Sequence, residues 1–210
     1  MVITHHGGQC FKVTFGDTTL LFDPPSKEAE TLKPVKFGAD VVLVSKNHPD
    51  FNGVDTAKRG DKEPFAITGP GAYEVGGITV RGYQTASAHG GVDGLNTMYV
   101  VELESMTLVF LGALSESTLP QEARELLDEI DVLFVPVGGD GVLSPDDAHK
   151  LAVKLEPRII IPMHHEGLGE KDALKQFAKE DTTEKPVDKL TLKKRDVAGR
   201  NGDIMIVQAV

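Results

Sequence analysis

Histidine and carboxylate side chains stand directly after apolar runs at several points of this 210-residue sequence. His48 and Asp50 follow Val41-Val42-Leu43-Val44, His89 follows the run that opens at Ile78, and His164-His165 follow Ile159-Ile160-Ile161. His5-His6 precede the first alternating run. Imidazoles and a carboxylate delivered to one crevice by strand ends form the donor set of a zinc hydrolase, in which the ion acidifies a water molecule. The plainer alternative is seven histidines scattered over surface loops, and spacing alone does not separate the two. Ser45 and Ser87 lie near histidines, but neither sits in a Gly-x-Ser-x-Gly elbow, which argues against a serine nucleophile. Gly69-Pro70-Gly71 and Gly138-Gly139-Asp140-Gly141 lack a following Gly-Lys-Ser/Thr and read as turns rather than phosphate loops. Cys10, next to Phe11, reads as a small buried apolar residue.

The elements that must position these side chains are short strands first and helices later. Cys10 to Phe15 alternates, Gly16-Asp17 turns, and Thr18 to Phe22 returns as a hairpin ending at Asp23-Pro24-Pro25. Val41 to Val44 is apolar on both faces, as a doubly covered strand requires. Further strands are expected at 65–68, 78–83, 97–103 and 107–111. After Pro120 the pattern changes. Gln121 to Ile130 reads as a helix with apolar positions at 123, 126, 127 and 130, and Val132 to Val137 as a buried strand. Ser144-Pro145 is an N-cap with proline at the first helical position, opening a helix through Leu155. A strand at 159–162, a helix from Lys171 to Lys179 and strands at 190–192 and 203–207 complete an α/β pattern. The length and the absence of a linker or repeat predict one domain over 1–210.

Composition narrows the function classes. Lys plus Arg is 22 against 32 Asp plus Glu, a formal net charge of −10, which disfavours nonspecific nucleic-acid binding. The basic stretch from Lys189 to Arg200 carries no aromatic residue for base stacking and reads as a solvated face. One cysteine excludes an intramolecular disulfide and a multi-Cys zinc site. No apolar run is long enough for a membrane helix, and the amino terminus does not read as a secretory signal, so a cytoplasmic location is expected.

His6-Gly7-Gly8-Gln9-Cys10-Phe11 with Leu20-Leu21-Phe22-Asp23-Pro24, then Gly69-Pro70-Gly71-Ala72-Tyr73-Glu74, Val135-Pro136-Val137-Gly138-Gly139 and Ile161-Pro162-Met163-His164, follow one another along nearly the whole chain. In that order and spacing the chain resembles the metallo-β-lactamase superfamily, in particular its ascorbate-6-phosphate-lactonase-like branch. The resemblance implies a four-layer αβ/βα sandwich, two sheets face to face with helices outside and a metal site at one edge. It also implies a His-x-His-x-Asp-His motif after an apolar strand. This chain has Lys46-Asn47-His48-Pro49-Asp50-Phe51 there, so Lys46 and Phe51 stand at two ligand positions. Ala113 stands where the bridging aspartate is implied, while His89 and His164 occupy the places of later histidines.

Carried over in this way, His48, Asp50, His89 and His164 are the remnant metal ligands, and Lys46, Phe51 and Ala113 line the pocket. The family's pattern would divide them as His48 with His89 at one ion and Asp50 with His164 at the other, leaving neither with three ligands. The expected consequence is loss of ordinary two-zinc chemistry and a role in binding small anions or in scaffolding. The alternative is an ester, lactone or phosphodiester hydrolase using one rearranged zinc ion, with Asp50 assisting the attacking water. Three structural expectations follow. Asp50 should meet a cationic partner, Lys46 or a protonated His164. Phe51 and Ala113 should make the second half-site dry. The donors of Lys46 and the histidines should favour an anion such as phosphate or a carboxylate.

Overall fold

A computed structural model describes residues 1–91, 94–178 and 185–210. The strands are β1 (Val2–His5), β2 (Phe11–Phe15), β3 (Thr18–Phe22), β4 (Val41–Leu43), β5 (Phe65–Ile67), β6 (Gly71–Val75), β7 (Ile78–Ser87), β8 (Gly94–Leu103), β9 (Met106–Phe110), β10 (Val132–Pro136), β11 (Ile159–Met163), β12 (Leu190–Thr191) and β13 (Asp203–Ile204). The helices are α1 (Gln121–Arg124), α2 (Pro145–Leu155), α3 (Ala173–Ala178) and α4 (Lys194–Val197). One sheet runs β12-β1-β2-β3-β4-β5 and the other β13-β11-β10-β9-β8-β7-β6. Within them β3, β4 and β5 are parallel, as are β9, β10, β11 and β13, while the hairpin strands are antiparallel. This is the face-to-face α/β sandwich that the sequence leads one to expect.

Alternation in β2 and β3 sorts residues between layers. Phe11, Val13, Leu20 and Phe22 face the space between the sheets and meet Tyr99, Leu108, Phe110 and Phe134 of the second sheet in the main core. The opposite set, Leu21 and Val42, packs with Cys10, Ala39, Val44 and Ala57 under the outer face of the first sheet. That face is covered by the loop carrying Val35 and Phe37 and by a 3₁₀ turn over Val54–Ala57. Among the described residues the α-helical cover lies on the second sheet, where Leu133, Val135 and Ile160 meet Ala148, Leu151 and Phe177. Residues 132–136 and 159–163 are buried at every position, because they are covered on both faces. The Cys10 thiol is buried, as expected.

Several elements differ from the sequence expectation: β7 runs on to Ser87, β8 starts at Gly94, β13 ends at Ile204, and the expectation contains neither β1 nor α4. The helix expected over 121–130 stops at Arg124. Pro120 supplies no side-chain cap, and the chain continues in i→i+3 bonds from Leu126 N–H to Ala123 O and from Leu127 N–H to Arg124 O. These tighter turns still bury Ala123, Leu127 and Ile130 in one cluster, so the apolar spacing is satisfied without a helix. Gly71–Val75, in which the sequence reading offers a turn at Gly71 and no strand, is an edge strand paired with β7. α3 begins at Ala173, after Asp172 takes a left-handed φ of 64°; the expected end at Lys179 lies outside the described residues. The expected cap of α2 is present, with Ser144 Oγ accepting from Asp147 N–H at 3.2 Å. Among the described residues no helix is long and apolar enough to cross a membrane.

Where β10 begins, Asp131 is fully buried and its carboxylate accepts from Thr107 N–H at 2.9 Å, from Lys194 at 2.8 and 3.0 Å, and from Arg158. These donors outweigh the cost of burial and hold its carboxyl below the usual carboxylate range. The contacts tie β9, β11 and α4 to one point. Replacing Asp131 by alanine removes the shared acceptor and strands a backbone N–H, and we expect a loss of about 3 kcal/mol in urea unfolding. A loss below about 0.5 kcal/mol, the range of ordinary surface substitutions, would show that water substitutes for the carboxylate.

Candidate metal centre

The site residues leave the ends of strands that terminate at one edge of the sandwich. β4 delivers the 46–51 loop, β7 leads into the 3₁₀ turn His89–Gly91, β9 leads to Gly112-Ala113, and β11 ends at Met163 next to His164. Two close approaches hold these loops together. A Cβ on Gly138 would lie 2.0 Å from His164 O, and one on Gly141 would lie 2.6 Å from His89 Cα. Gly141 also has a φ of +86°, which an L side chain rarely adopts. The Gly138–Gly141 turn therefore clamps two of the histidines without contributing a functional group.

His48, Asp50 and His89 converge, with one potential ligand atom from each lying within 4.8 Å of the others. His89 Nε2 is 3.0 Å from Asp50 Oδ2, and His48 Nδ1 is 3.4 Å from the same oxygen. Ligands about 2.1 Å from a tetrahedral zinc ion lie about 3.4 Å apart, so the separations of both histidines from Asp50 suit such an ion. His89 and Asp50 are buried, while His48 is partly open to solvent. The His89 hydrogen bond is the main cause holding the Asp50 carboxyl below its ordinary range, against burial and with help from His48. Burial, the neighbouring His89 and Lys46 push His48 down, against the pull of Asp50.

His164 completes the ring of imidazoles without joining the convergent trio. It is fully buried, sits edge-on to His89 with ring centroids 5.0 Å apart, and takes a left-handed φ of 63°. Its Nδ1 lies 2.8 Å from Gln9 Nε2. Burial pushes its pKa down to about 3, so the ring is neutral. Two ring nitrogens in this cluster, His89 Nδ1 and His164 Nε2, are buried with no hydrogen-bond partner among the described residues. Such orphaned groups cost free energy unless something satisfies them.

Phe51 and Ala113, with Val142 and the partly buried Leu168, form a small apolar cluster. Phe51 lies 4.8 Å from the His89 ring and 6.2 Å from that of His164. Apolar atoms therefore fill the side where the resemblance implied further ligands. The Lys46 ammonium donates to Ser87 O at 3.3 Å and lines an open cleft of about 490 Å³ together with His48, Thr68, His89 and Leu95.

The structure regroups the sequence-derived residues. Potential ligand atoms of His48, Asp50 and His89 lie together, and His164 Nδ1 is turned toward Gln9. The Asp50 carboxylate accepts from His89, and His48 Nδ1, which accepts from Asp50 N–H at 3.3 Å, lies beside the same oxygen; His164 also acts on Asp50 electrostatically. His5 and His6 belong to neither group. His5 stacks on Phe11 and neighbours His165, and His6 packs on Phe37. Two supporting residues escaped the sequence reading. Asp23 is fully buried and accepts from Ser45 N–H at 2.7 Å and Ser45 Oγ–H at 2.6 Å, which accounts for Ser45 without a nucleophilic role. Burial raises its pKa to about 8 despite those bonds. Gln9 lies within the opening motif of the chain, but its partner is 155 residues away, and no local signal announces such a contact.

Comparison with known proteins adds to this geometry. The family model of the β-lactamase superfamily domain matches residues 2–164. A UPF0173 metal-dependent hydrolase of Listeria monocytogenes is 27% identical over 198 residues, covering 79% of this chain and 85% of that protein. One from Thermococcus onnurineus is 29% identical over 188 residues, covering 76% and 82%. The crystal structure of a metallo-β-lactamase-superfamily protein from Thermotoga maritima superposes with a TM-score of 0.77 at 31% identity, covering 99% of both chains.

The buried imidazoles generate a pH dependence. His164 and His165 have pKa values near 3 and 4 in the folded chain, both lowered chiefly by burial, against about 6.5 when unfolded. Each contributes stability that is present above pH 6.5 and lost as pH falls toward 4, at about 1.4 kcal/mol per pH unit. Asp23 acts in the opposite sense, because its raised pKa favours the fold at low pH and the benefit is lost as pH rises toward 8. The lowered pKa values of His5, His6 and His48 act in the same sense as those of His164 and His165, so the rings outweigh the one carboxyl and metal-free protein is less stable at pH 5 than at pH 6.5, by at least about 1 kcal/mol. Urea unfolding at the two pH values measures this, and a flat or inverted profile would contradict the neutral-ring assignment.

Proposed function

The chain belongs to the β-lactamase superfamily, and from that premise we propose a metal-dependent hydrolase that uses one divalent ion, zinc by its donor set, on a small anionic ester, lactone or phosphodiester. The observation that carries this reading is the convergence of His48, Asp50 and His89 within 4.8 Å beside two orphaned imidazole nitrogens. Three protein ligands with an open position are the pattern of catalytic rather than structural zinc. When bound, the ion supplies Lewis acidity and lowers the pKa of water.

The chain's own residues supply the rest. His89 Nε2–H donates to Asp50 in the present arrangement, so loading a metal on this ring must displace that proton. Metal uptake should therefore weaken as pH falls and the imidazoles become protonated. On this reading Asp50, whose contacts with His48 and His89 fall on Oδ2, assists the attacking water as an acceptor. Lys46 places positive charge on the cleft wall, where it can hold a phosphate or carboxylate of the substrate while repelling a second cation. Phe51, Ala113 and Val142 exclude water from the opposite side. The same cleft favours a second reading, a metal-free binder of small anions, because Lys46 and the imidazoles offer donors whether or not an ion is present.

Elemental analysis of purified protein after zinc loading and desalting separates the readings. We expect about one equivalent of zinc, lost in the Asp50→Asn variant, and hydrolysis of anionic ester or phosphodiester substrates that stops on chelation. Less than about a tenth of an equivalent would overturn the hydrolase reading, and calorimetric titration with phosphate would then test the anion binder. Restoring Lys46→His, Phe51→His and Ala113→Asp together should raise the zinc content to about two equivalents, because three ligands return and one ammonium leaves. Unchanged content in that triple variant would show that Phe51 and Ala113 are not what limits the site to one ion.

A further inference from the structure

His48 is the member of the His48–Asp50–His89 group that stands partly open to solvent, with its side chain 30% exposed. Burial does not fix its ring, so other contacts must. Its backbone is set by a turn in which His48 O accepts from Phe51 N–H at 2.9 Å and from Asn52 N–H at 3.0 Å. Ring atom Nδ1 accepts from Asp50 N–H at 3.3 Å, and the His89 ring stands edge-on with centroids 4.7 Å apart. The Nε2–Cδ2 edge faces Gly90, where a Cβ would lie 2.9 Å from Nε2 and 3.1 Å from Cδ2. Ordinary contact between such atoms is about 3.5–4.0 Å, so a methyl group at position 90 and this imidazole cannot both keep their places.

The turn that carries Gly90 is backed from below and does not give way. Ala88 N–H donates to Gly141 O at 3.1 Å, and His89 N–H donates to Ser87 Oγ at 3.3 Å. Gly141 passes so closely beneath that a Cβ on it would stand 2.5 Å from Ala88 O and 2.6 Å from His89 Cα. The half-open imidazole is therefore the side that yields. We propose that Gly90 is a positioning residue for the metal centre, its missing side chain leaving the space in which His48 keeps Nδ1 beside the Asp50 carboxylate. A ligand set tolerates displacements of only about 0.5 Å, which is the retreat that a β-carbon at position 90 demands of the ring. The placement of the ring is independent of any ion, whereas the consequence for metal binding rests on the one-ion reading.

Gly90 also has a φ of +80°, so alanine there strains the backbone as well as striking the ring. Gly91 supplies the matched control, with a φ of +71° and, among the described residues, nothing within 4 Å of the Cβ position. Alanine at either position carries the left-handed cost, and only Gly90→Ala meets His48.

The test compares wild type, Gly90→Ala and Gly91→Ala by competition for zinc against a chromophoric chelator, by thermal unfolding of metal-free protein and by ¹H–¹³C spectra of the histidine rings. Both variants should lose similar thermal stability. Zinc affinity should fall at least about tenfold in Gly90→Ala and stay near the wild-type value in Gly91→Ala. The His48 ring resonances should move in Gly90→Ala alone, and wild type should show a nuclear Overhauser contact between the Gly90 Hα protons and the His48 ring. Unchanged zinc affinity in Gly90→Ala, or an equal loss in both variants, would overturn the proposal, since backbone strain would then account for any effect. Failure of the wild type to bind zinc would remove the one-ion reading, while the metal-free spectra still decide the ring placement: unmoved His48 resonances in Gly90→Ala refute it. Should Gly90→Ala fail to fold, it is combined with His48→Ala. Recovery of the fold identifies the ring as the obstacle, and continued failure assigns the defect to the backbone and sinks the proposal.

Discussion

The aromatic contact between the two sheets is the constraint on which the rest of the structure depends. Phe22 of β3 stacks on Phe110 of β9 with ring centroids 4.5 Å apart, and Phe134 of β10 packs against both and against Phe11 of β2. Each pair contributes about 1 kcal/mol beyond the apolar area it buries, and offset rings resist sliding. Phe22 immediately precedes Asp23, and Phe110 immediately precedes the Leu111-Gly112-Ala113 turn. Fixing these rings fixes the relative height of the sheets at the edge where the functional loops depart. A shift of one residue in either sheet would reverse which side chains face the core.

Above that contact the loops are held by buried polar groups with defined partners. Asp23 receives both Ser45 donors, and Asn96 donates to Leu111 O and Thr85 Oγ1 while accepting from Ala113 N–H. These bonds connect the ends of β3, β4, β8 and β9 beneath the imidazole cluster. Glycines permit the remaining close contacts, most directly where Gly138 passes under His164 O. The left-handed backbone of His164 costs on the order of 1 kcal/mol, which this packing must offset. The strain is located at the site, where it orients a buried imidazole.

The substitutions at the site form a consistent physical set. An aromatic ring and a methyl group occupy the positions where the resemblance implied donors for a second ion, and together with Val142 they make an apolar wall. The ammonium of Lys46 adds positive charge on the other flank. Both changes disfavour two adjacent dications, while the His48–Asp50–His89 geometry still suits one. A change at Phe51 or Ala113 alone would restore one ligand without removing the apolar wall or the ammonium. On the proposed one-ion reading the site is rearranged rather than eroded.

Local sequence determined most of the strands, the Ser144 cap and the residue types gathered at the edge, because alternation, capping and apolar runs are properties of neighbours along the chain. The resemblance carried by the motifs from His6-Gly7-Gly8 to Pro162-Met163-His164 made the sandwich legible as well. The end of α1 at Arg124 was not legible, since the same apolar spacing is satisfied by tighter turns against one cluster. Nor was the grouping of ligands: whether Asp50 joins His48 and His89 or pairs with His164 depends on loop geometry at the strand ends. The buried contact of Gln9 with His164 joins residues 155 positions apart. Only the packing of two sheets brings such groups together, and only burial makes their pairing costly to change.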